Sequence, residues 1–398
     1  MPDYLAPGVY IEEVEIGAKP IEGVSTSTVG FVGMTQNVID EEKDFNNDEL
    51  LNKATLITDW GDFVTKFGRY DKDKAPYLPT AVYGFFANGG SRCYVVRVKD
   101  EAEDGDYVGT DEGAGKRTGL QVFNEVDEVN IVCVPGITTD VVQKAMITHC
   151  ENLKDRFCIL DPEEAADIET IQAQREKVVS DKGYGALYYP WIKVPIETKE
   201  NGKVKLIQEL TPPSGYVAGI YARSDIERGV HKAPANEKVR TALDLQLPIS
   251  KGEQEILNPK GIDCIRSFRG RGIRVWGART ISSDPLWKYV NVRRLFLYIE
   301  ESIEEGTQWV VFEPNNEKLW ARVIQTITQF LTRVWRDGAL MGTTPEEAFF
   351  VKCDRTTMTQ DDIDNGRLIV LIGVAPVKPA EFVIFRIAQW QGGSEIAE

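Results

Sequence analysis

Apolar and polar positions along this chain follow two rhythms, and the change from one to the other divides the sequence. The first run, Gly8-Val9-Tyr10-Ile11-Glu12-Glu13-Val14, has the character of a strand, and Pro2, Pro7 and Pro20 exclude a long helix around it. No return segment follows, so this predicted strand has to find its partner elsewhere. A strand over 28–33 comes next, then an acidic loop over 40–49. Two short amphipathic helices over 60–67 and 78–88 stop at Gly89-Gly90, and a strand over 91–98 follows. Residues 99–119 read as a glycine-rich, acidic, solvated loop.

From Val129 the pattern becomes strand–helix–strand. VNIVCVPG, FCILDP and GALYYPWIKV are predicted strands, with helices over 140–153 and 162–182 between them, which implies a small parallel α/β layer. Asn201-Gly202 between alternating segments marks a hairpin, and 216–224 a short helix. The last third predicts strands over 272–276, 309–312, 349–353, 367–374 and 381–389, and helices over 286–305 and 317–337. The second of these helices gathers Trp320, Val323, Ile324, Ile327, Phe330, Leu331 and Val334 on one face and stops at Gly338. A further helix starts at Thr344-Pro345. The final strand again lacks a mate, so both chain ends are predicted unpaired strands.

Charge adds a partner class. The net charge is −16, which excludes bulk nucleic-acid binding because phosphate neutralisation needs a basic surface. Its distribution is uneven: residues 1–130 hold 12 basic and 25 acidic side chains, whereas 231–300 hold 13 basic and 7 acidic. Complementary segments in one chain point to copies of itself as partners. The six cysteines contain no C-x-x-C and lie mostly in apolar runs, as buried reduced thiols do, which places synthesis in the cytosol. The N-terminus has no signal-peptide pattern, and the longest apolar stretch, 368–377, is about half a membrane span, so no membrane insertion is expected.

Catalytic and cofactor chemistry finds little support. GAGKRTG (113–119) lacks the first glycine and the Ser/Thr of a phosphate loop, and GRGIRVWG (270–277) has Val275 at the third glycine of the dinucleotide pattern. Pro135-Gly136, at the end of an α/β strand, supplies too few glycines to cradle a pyrophosphate. Gly89-Gly90-Ser91-Arg92-Cys93 is no nucleophile elbow, and His149 beside Cys150 is far from a zinc set. His231 reads as a loop histidine. Ile363 interrupts the ligand alternation of Asp361-Asp362-Ile363-Asp364-Asn365-Gly366, and Glu49 replaces the required glycine after Asp44, Asn46 and Asp48. No enzyme activity, metal or cofactor is expected.

Longer motifs carry a specific resemblance. KAPAN (232–236), NPKGIDCIRSFRGRGIRVWGARTISSD (258–284), WKYVNVRRLFLYIEESI (287–303), FEPNN…LW (312–320) and APVKPAEFVIFRIAQ (375–389) resemble the contractile tail-sheath family. PGVYIEEV (7–14), TSTVGFVG (26–33) and FFANGGSRCYVVRV (85–98) match its opening blocks. The family comprises phage tail sheaths, R-type pyocin sheaths and sheaths of extracellular contractile injection systems. In compactness and motif style this chain is most like the antifeeding-prophage type.

The resemblance implies a mixed α/β (α+β) protein with a compact inner sheath domain built from both chain ends, an inserted α/β domain and extended terminal strand arms. The blocks are 1–20 (N-terminal arm), 21–98 (first part of the core), 99–230 (outer α/β domain), 231–379 (inner C-terminal domain) and 380–398 (C-terminal arm). The arms, represented by Val9, Tyr10, Ile11 and Val14 and by Phe382, Ile384 and Arg386, add as strands to neighbouring subunits. The acidic turn Asp361, Asp362, Asp364 is the expected contact with an inner tube protein. A helical homo-oligomer of stacked rings, with baseplate and terminal cap proteins as further partners, is assembled in the bacterial cytoplasm and contracts to drive the tube outward. Its tail-like particle is then open to release from the cell. The competing readings are a static baseplate or non-contractile tail component and an α/β nucleotide-binding enzyme.

Overall fold

The computed structural model describes residues 20–36, 39–40, 45–200 and 203–387. The first part runs β1 (Val29–Gly33), β2 (Ile39–Asp40), β3 (Phe45–Asn46), β4 (Thr55–Ile57), α1 (Trp60–Phe67), α2 (Leu78–Asn88) and β5 (Cys93–Arg97). Next come α3 (Asp104–Val108), β6 (Ile131–Cys133), α4 (Asp140–Leu153), β7 (Phe157–Leu160), α5 (Ile168–Lys177) and β8 (Gly185–Tyr189). β9 (Ile192–Glu200), β10 (Lys203–Thr211), α6 (Ser214–Arg228), β11 (Glu237–Lys238), β12 (Asp244–Leu245) and α7 (Lys251–Leu257) follow. The last part is β13 (Ile262–Phe268), β14 (Gly272–Val275), α8 (Val290–Gly306), α9 (Glu317–Arg336), α10 (Pro345–Ala348), β15 (Phe349–Lys352), α11 (Gln360–Asp364) and β16 (Leu371–Val374).

Nine strands form one sheet in the order β11-β14-β13-β8-β7-β6-β1-β5-β4. The interior pairs, from β13 through β5, are parallel, and β14 and β4 join antiparallel at the flanks. β1, β7 and β8 are buried at every position, as near-continuous apolar runs require when helices cover both faces. The mixed α+β architecture, a central sheet with flanking helices, agrees with the sequence reading. β9 and β10 pair from Glu200↔Lys203, the register that a hairpin at Asn201-Gly202 predicts.

A second apolar core lies apart from the sheet. It gathers the α9 face (Leu319, Trp320, Val323, Ile327, Phe330, Leu331, Val334) with Leu295 and Ile299 of α8, Phe349 of β15 and Ile21. Ile324, expected on that face, is only partly buried. Asp225 of α6 and Arg294 of α8 join the two cores. They lie 2.6 Å apart, both almost wholly buried, and Arg294 also donates to the carbonyl of Thr26.

Several expected elements differ. The run GALYYPWIKV is two strands in two sheets, because Pro190 has no N–H to continue the ladder. The expected strand at 309–312 is a 3-10 turn over Gln308–Val310, and Phe312 projects from the following loop with φ 68°. Aromatic and β-branched residues favour strands only where a neighbouring strand receives them. The acidic loop 99–119 contains α3, held in place by buried Tyr107. The last expected strand makes no ladder over 381–387 within one chain, and its remaining residues lie outside those described.

Helices α2 and α6 meet backbone to backbone. A Cβ at Gly219 would stand 2.4 Å from the carbonyl oxygen of Phe85, and one at Gly215 would stand 2.3 Å from that of Ala81. Gly→Ala in an exposed helix gains about 1 kcal/mol of propensity. Overpacking against an immovable backbone costs about 1–3 kcal/mol and wins here. Gly219→Ala is therefore expected to lower the thermal unfolding midpoint, and an unchanged or raised midpoint would refute this close contact.

Candidate functional site

Glu381 ends the anchored part of the C-terminal segment. After β16 the chain stays attached to the small core through Ala375 and Val377, whose amides donate to the carbonyls of Ala348 and Ala339. At Glu381 it reaches the start of α8 and the end of α7. Arg279 grips the carboxylate with two bonds of 2.8 Å, Asn258 Nδ2 donates at 2.7 Å and the Tyr289 hydroxyl at 2.9 Å. From Phe382 to Ile387 every apolar side chain is exposed: Phe382 (71%), Val383 (68%), Ile384 (80%), Phe385 (82%) and Ile387 (94%). Arg386 is exposed among them.

The N-terminal segment is rooted on the same helix. Ile21 is buried against Gly306 at the far end of α8, and Arg333 of α9 donates to its carbonyl. The amide of Val24 donates to Ser302 Oγ at 3.2 Å. Since α8 rises about 1.5 Å per residue, the two roots stand roughly 25 Å apart, at opposite ends of one helix. Val9, Tyr10, Ile11 and Val14 themselves lie outside the described residues.

The structure places Asp361, Asp362 and Asp364 together on the single turn of α11. A capping box between Thr359 and Asp362 starts this turn, and Ile363 packs on the small core. Arg367 binds Asp361 at 2.8 Å and Asp362 at 2.9 Å, whereas Asp364 accepts from Gln360 Nε2. Thr359 first, and then Arg367, hold the Asp362 carboxyl below its ordinary range. Two of the three charges are therefore partly neutralised within the chain.

Other residues singled out in the sequence serve packing. Burial and then the Arg156 guanidinium push the His149 imidazole down to about 3. The carbonyl of His231 accepts from Asn291 Nδ2. The Gly136 amide, at the strand end where a nucleotide phosphate would sit, donates to the buried carboxylate of Asp161, which also takes the amide and hydroxyl of Ser214. All six cysteines are buried and free. Sequence reasoning missed Glu381 and Arg279, because a lone acid before an apolar run carries no signal until its partner, 102 residues away, is brought beside it.

Burial alone would raise the Glu381 carboxyl, but the hydrogen bonds from Arg279, Asn258 and Tyr289 outweigh it and hold the group below its usual 4.5. A lowered folded value means the clamp contributes fully above the unfolded pKa and is lost as pH falls through the folded one. Acidification through the carboxylate range below its usual 4.5 is thus expected to weaken the clamp and loosen residues 378–381. Glu381→Gln is expected to release them already at neutral pH. Hydrogen exchange over this segment measures both, and equal protection in Glu381→Gln and the parent chain would contradict the clamp.

Comparison with known proteins gives a consistent result. Residues 112–281 match the phage tail sheath protein central domain, and residues 282–389 match the phage tail sheath C-terminal domain. The tail sheath protein of Escherichia phage P2 is 24% identical over 400 residues, covering 95% of this chain and 94% of that protein. Among solved structures, the helical sheath of the anti-feeding prophage in its contracted state is 32% identical, with a TM-score of 0.77, over 97% of this chain and 100% of that one. The sheath complex of PVC, an extracellular contractile injection system, also in the contracted state, is 30% identical with a TM-score of 0.77, covering 98% of this chain and 99% of that one.

Proposed function

Because the chain belongs to the phage tail sheath family and is a contractile-type sheath subunit, we propose that it polymerises by strand exchange of its terminal arms into a helical sheath around an inner tube. On triggering, the subunits turn as rigid bodies into a more compact lattice and drive the tube through a target envelope, while the arms keep the mesh connected.

The observation that carries this reading is the exposed run Phe382–Ile387, which begins where the Glu381 anchor ends. Its near-continuous apolar sequence is the pattern of a strand buried on two faces. Val383, Phe385 and Ile387 therefore act beside Phe382, Ile384 and Arg386. The small core offers an edge such a strand could join: among the described residues β15 and β16 pair as a two-stranded sheet of their own, with Phe350 and Leu371 about half exposed. Such a ribbon is marginal alone, and strands added from neighbours complete it. Roots at opposite ends of α8 send the two arms to different neighbours, so the contact is heterologous and propagates instead of closing.

Asp361, Asp362 and Asp364 form the proposed grip on the tube, with baseplate and cap proteins at the two ends of the polymer. Buried free thiols support assembly in a reducing compartment, the bacterial cytoplasm. Electron microscopy of the purified full chain tests the central claim. Hollow striated cylinders are expected, in two lengths of repeat when tube-bound and triggered. Cylinders of one fixed repeat would favour a static tail component, and monomers alone would reject polymerisation. Reversal of all three aspartates to lysine is expected to abolish co-sedimentation with the tube while tube-free cylinders persist; unchanged co-sedimentation removes the acidic grip.

A further inference from the structure

One end of the nine-stranded sheet is a basic hairpin, several of whose cations form no ion pair among the described residues. Residues 264–283 hold five arginines and no acid. Arg269 and Arg271 stand exposed at the tip between β13 and β14, Arg274 lies on β14, and Lys238 of neighbouring β11 packs its side chain over Gly272. Among the described residues, Lys238, Arg269, Arg271 and Arg274 make no ion pair. The tip is also rigid. Phe268 and Trp276 rings pack at 4.5 Å, the Arg271 guanidinium lies 5.5 Å from each ring, and Asn236 Oδ1 accepts from it at 2.8 Å. A fixed arginine on an aromatic platform loses little freedom on binding and has the composition of an interface anchor.

The complementary surface lies on the other half of the same sheet. Residues 99–128 hold 10 acidic and 3 basic side chains. This segment packs over β1, where the Phe123 ring lies against Gly30. Two of its three basic residues are used locally: Arg117 holds Asp111 and Glu125, and Lys99 holds Asp106. Glu101, Glu103, Glu112 and Asp127 are exposed and, among the described residues, unpaired by any cation. Five strand spacings separate β14 from β1 in the sheet order, about 24 Å, or roughly three Debye lengths at physiological salt. The two charged ends therefore do not neutralise one another within a subunit.

Resting on the sheath reading, we propose that the β13–β14 hairpin docks on the acidic 99–128 surface of a second copy of this chain, a lattice contact additional to strand exchange. A head-to-tail contact between unlike surfaces repeats from copy to copy without closing, as a helical polymer requires.

The full chain carrying R269E and R271E tests this, with the concentration needed for cylinder formation read by sedimentation and microscopy at low salt. That concentration is expected to rise on the order of tenfold, since each exposed pair contributes modestly but every subunit loses it. E101K, E112K and D127K together are expected to cause the same rise, and all five changes combined are expected to restore assembly. R269Q with R271Q serves as the milder variant if charge reversal disturbs the hairpin, and thermal unfolding monitors this. Parent-like assembly of the hairpin variants, or no recovery in the combination, overturns the contact. Loss confined to tube binding overturns it in favour of the tube. If the parent chain forms no cylinders, the sheath reading itself has failed.

Discussion

A chain ending at Glu381 is expected to stay folded and to form no cylinders under conditions where the full chain does. The cut falls after the last anchored residue, so the Arg279 clamp and the small core keep their contacts. What is lost is residues 382–398, and of these the side chains of Phe382–Ile387 are exposed on their own subunit. In a neighbouring sheet those six residues would make about four main-chain hydrogen bonds at about 1 kcal/mol each net. Burying several large apolar side chains adds about 1.5–3 kcal/mol each. At 1.4 kcal/mol per decade, even half of that total is on the order of a thousandfold in association. Unfolding by circular dichroism and assembly by light scattering separate the effects. Normal polymerisation of the truncated chain would end the arm mechanism, and a large fall in unfolding midpoint would show that the segment belongs to the fold.

The second large effect concerns the junction of the two cores. Arg294 donates to Asp225 at 2.6 and 2.9 Å and to the Thr26 carbonyl at 2.6 Å, and lies 4.7 Å from the Tyr221 ring. Thr26 Oγ1 donates to Asp225 at 2.6 Å. One buried ion pair thus ties α6, α8 and the root of the N-terminal segment. Asp225→Asn leaves the guanidinium buried without its counter-charge, at a cost of about 3–5 kcal/mol. For a chain of 398 residues, at about 2.1 cal/mol/K of unfolding entropy per residue, that lowers the unfolding midpoint by about 4–6 °C. Asp225→Leu combined with Arg294→Met removes both charges and is expected to lose much less, because no unpaired charge remains. A single substitution that leaves the midpoint within about 1 °C of the parent, a shift of about 1 kcal/mol, would contradict the role of the pair.

Much of the secondary structure could be read from local pattern. The bounds of α1, α2 and α4 follow from apolar spacing, from capping residues such as Asp59 and Thr139, and, for α1 and α2, from glycine stops. The α9 face likewise follows from its 3.6-residue period. The miss at 309–312 has a clear cause. That segment has strand composition, but a strand exists only when another backbone is beside it, and composition says nothing about the neighbour. The acidic turn was legible as charge; the Arg367 contacts that neutralise part of it were not.

By itself, the sequence determined which segments are apolar on one face, that both ends carry strand-like runs without mates, and, through long ordered motifs, the sheath family. These properties are local or additive along the chain. Only the tertiary structure decided that strands from both 29–97 and 131–275 join one nine-stranded sheet, that the C-terminal run is released at Glu381, and that Arg294 meets Asp225. It also decided that the basic and acidic segments face different ends of that sheet. Each depends on distances between residues far apart in sequence, which hydrophobic packing of the whole chain sets and no local pattern encodes.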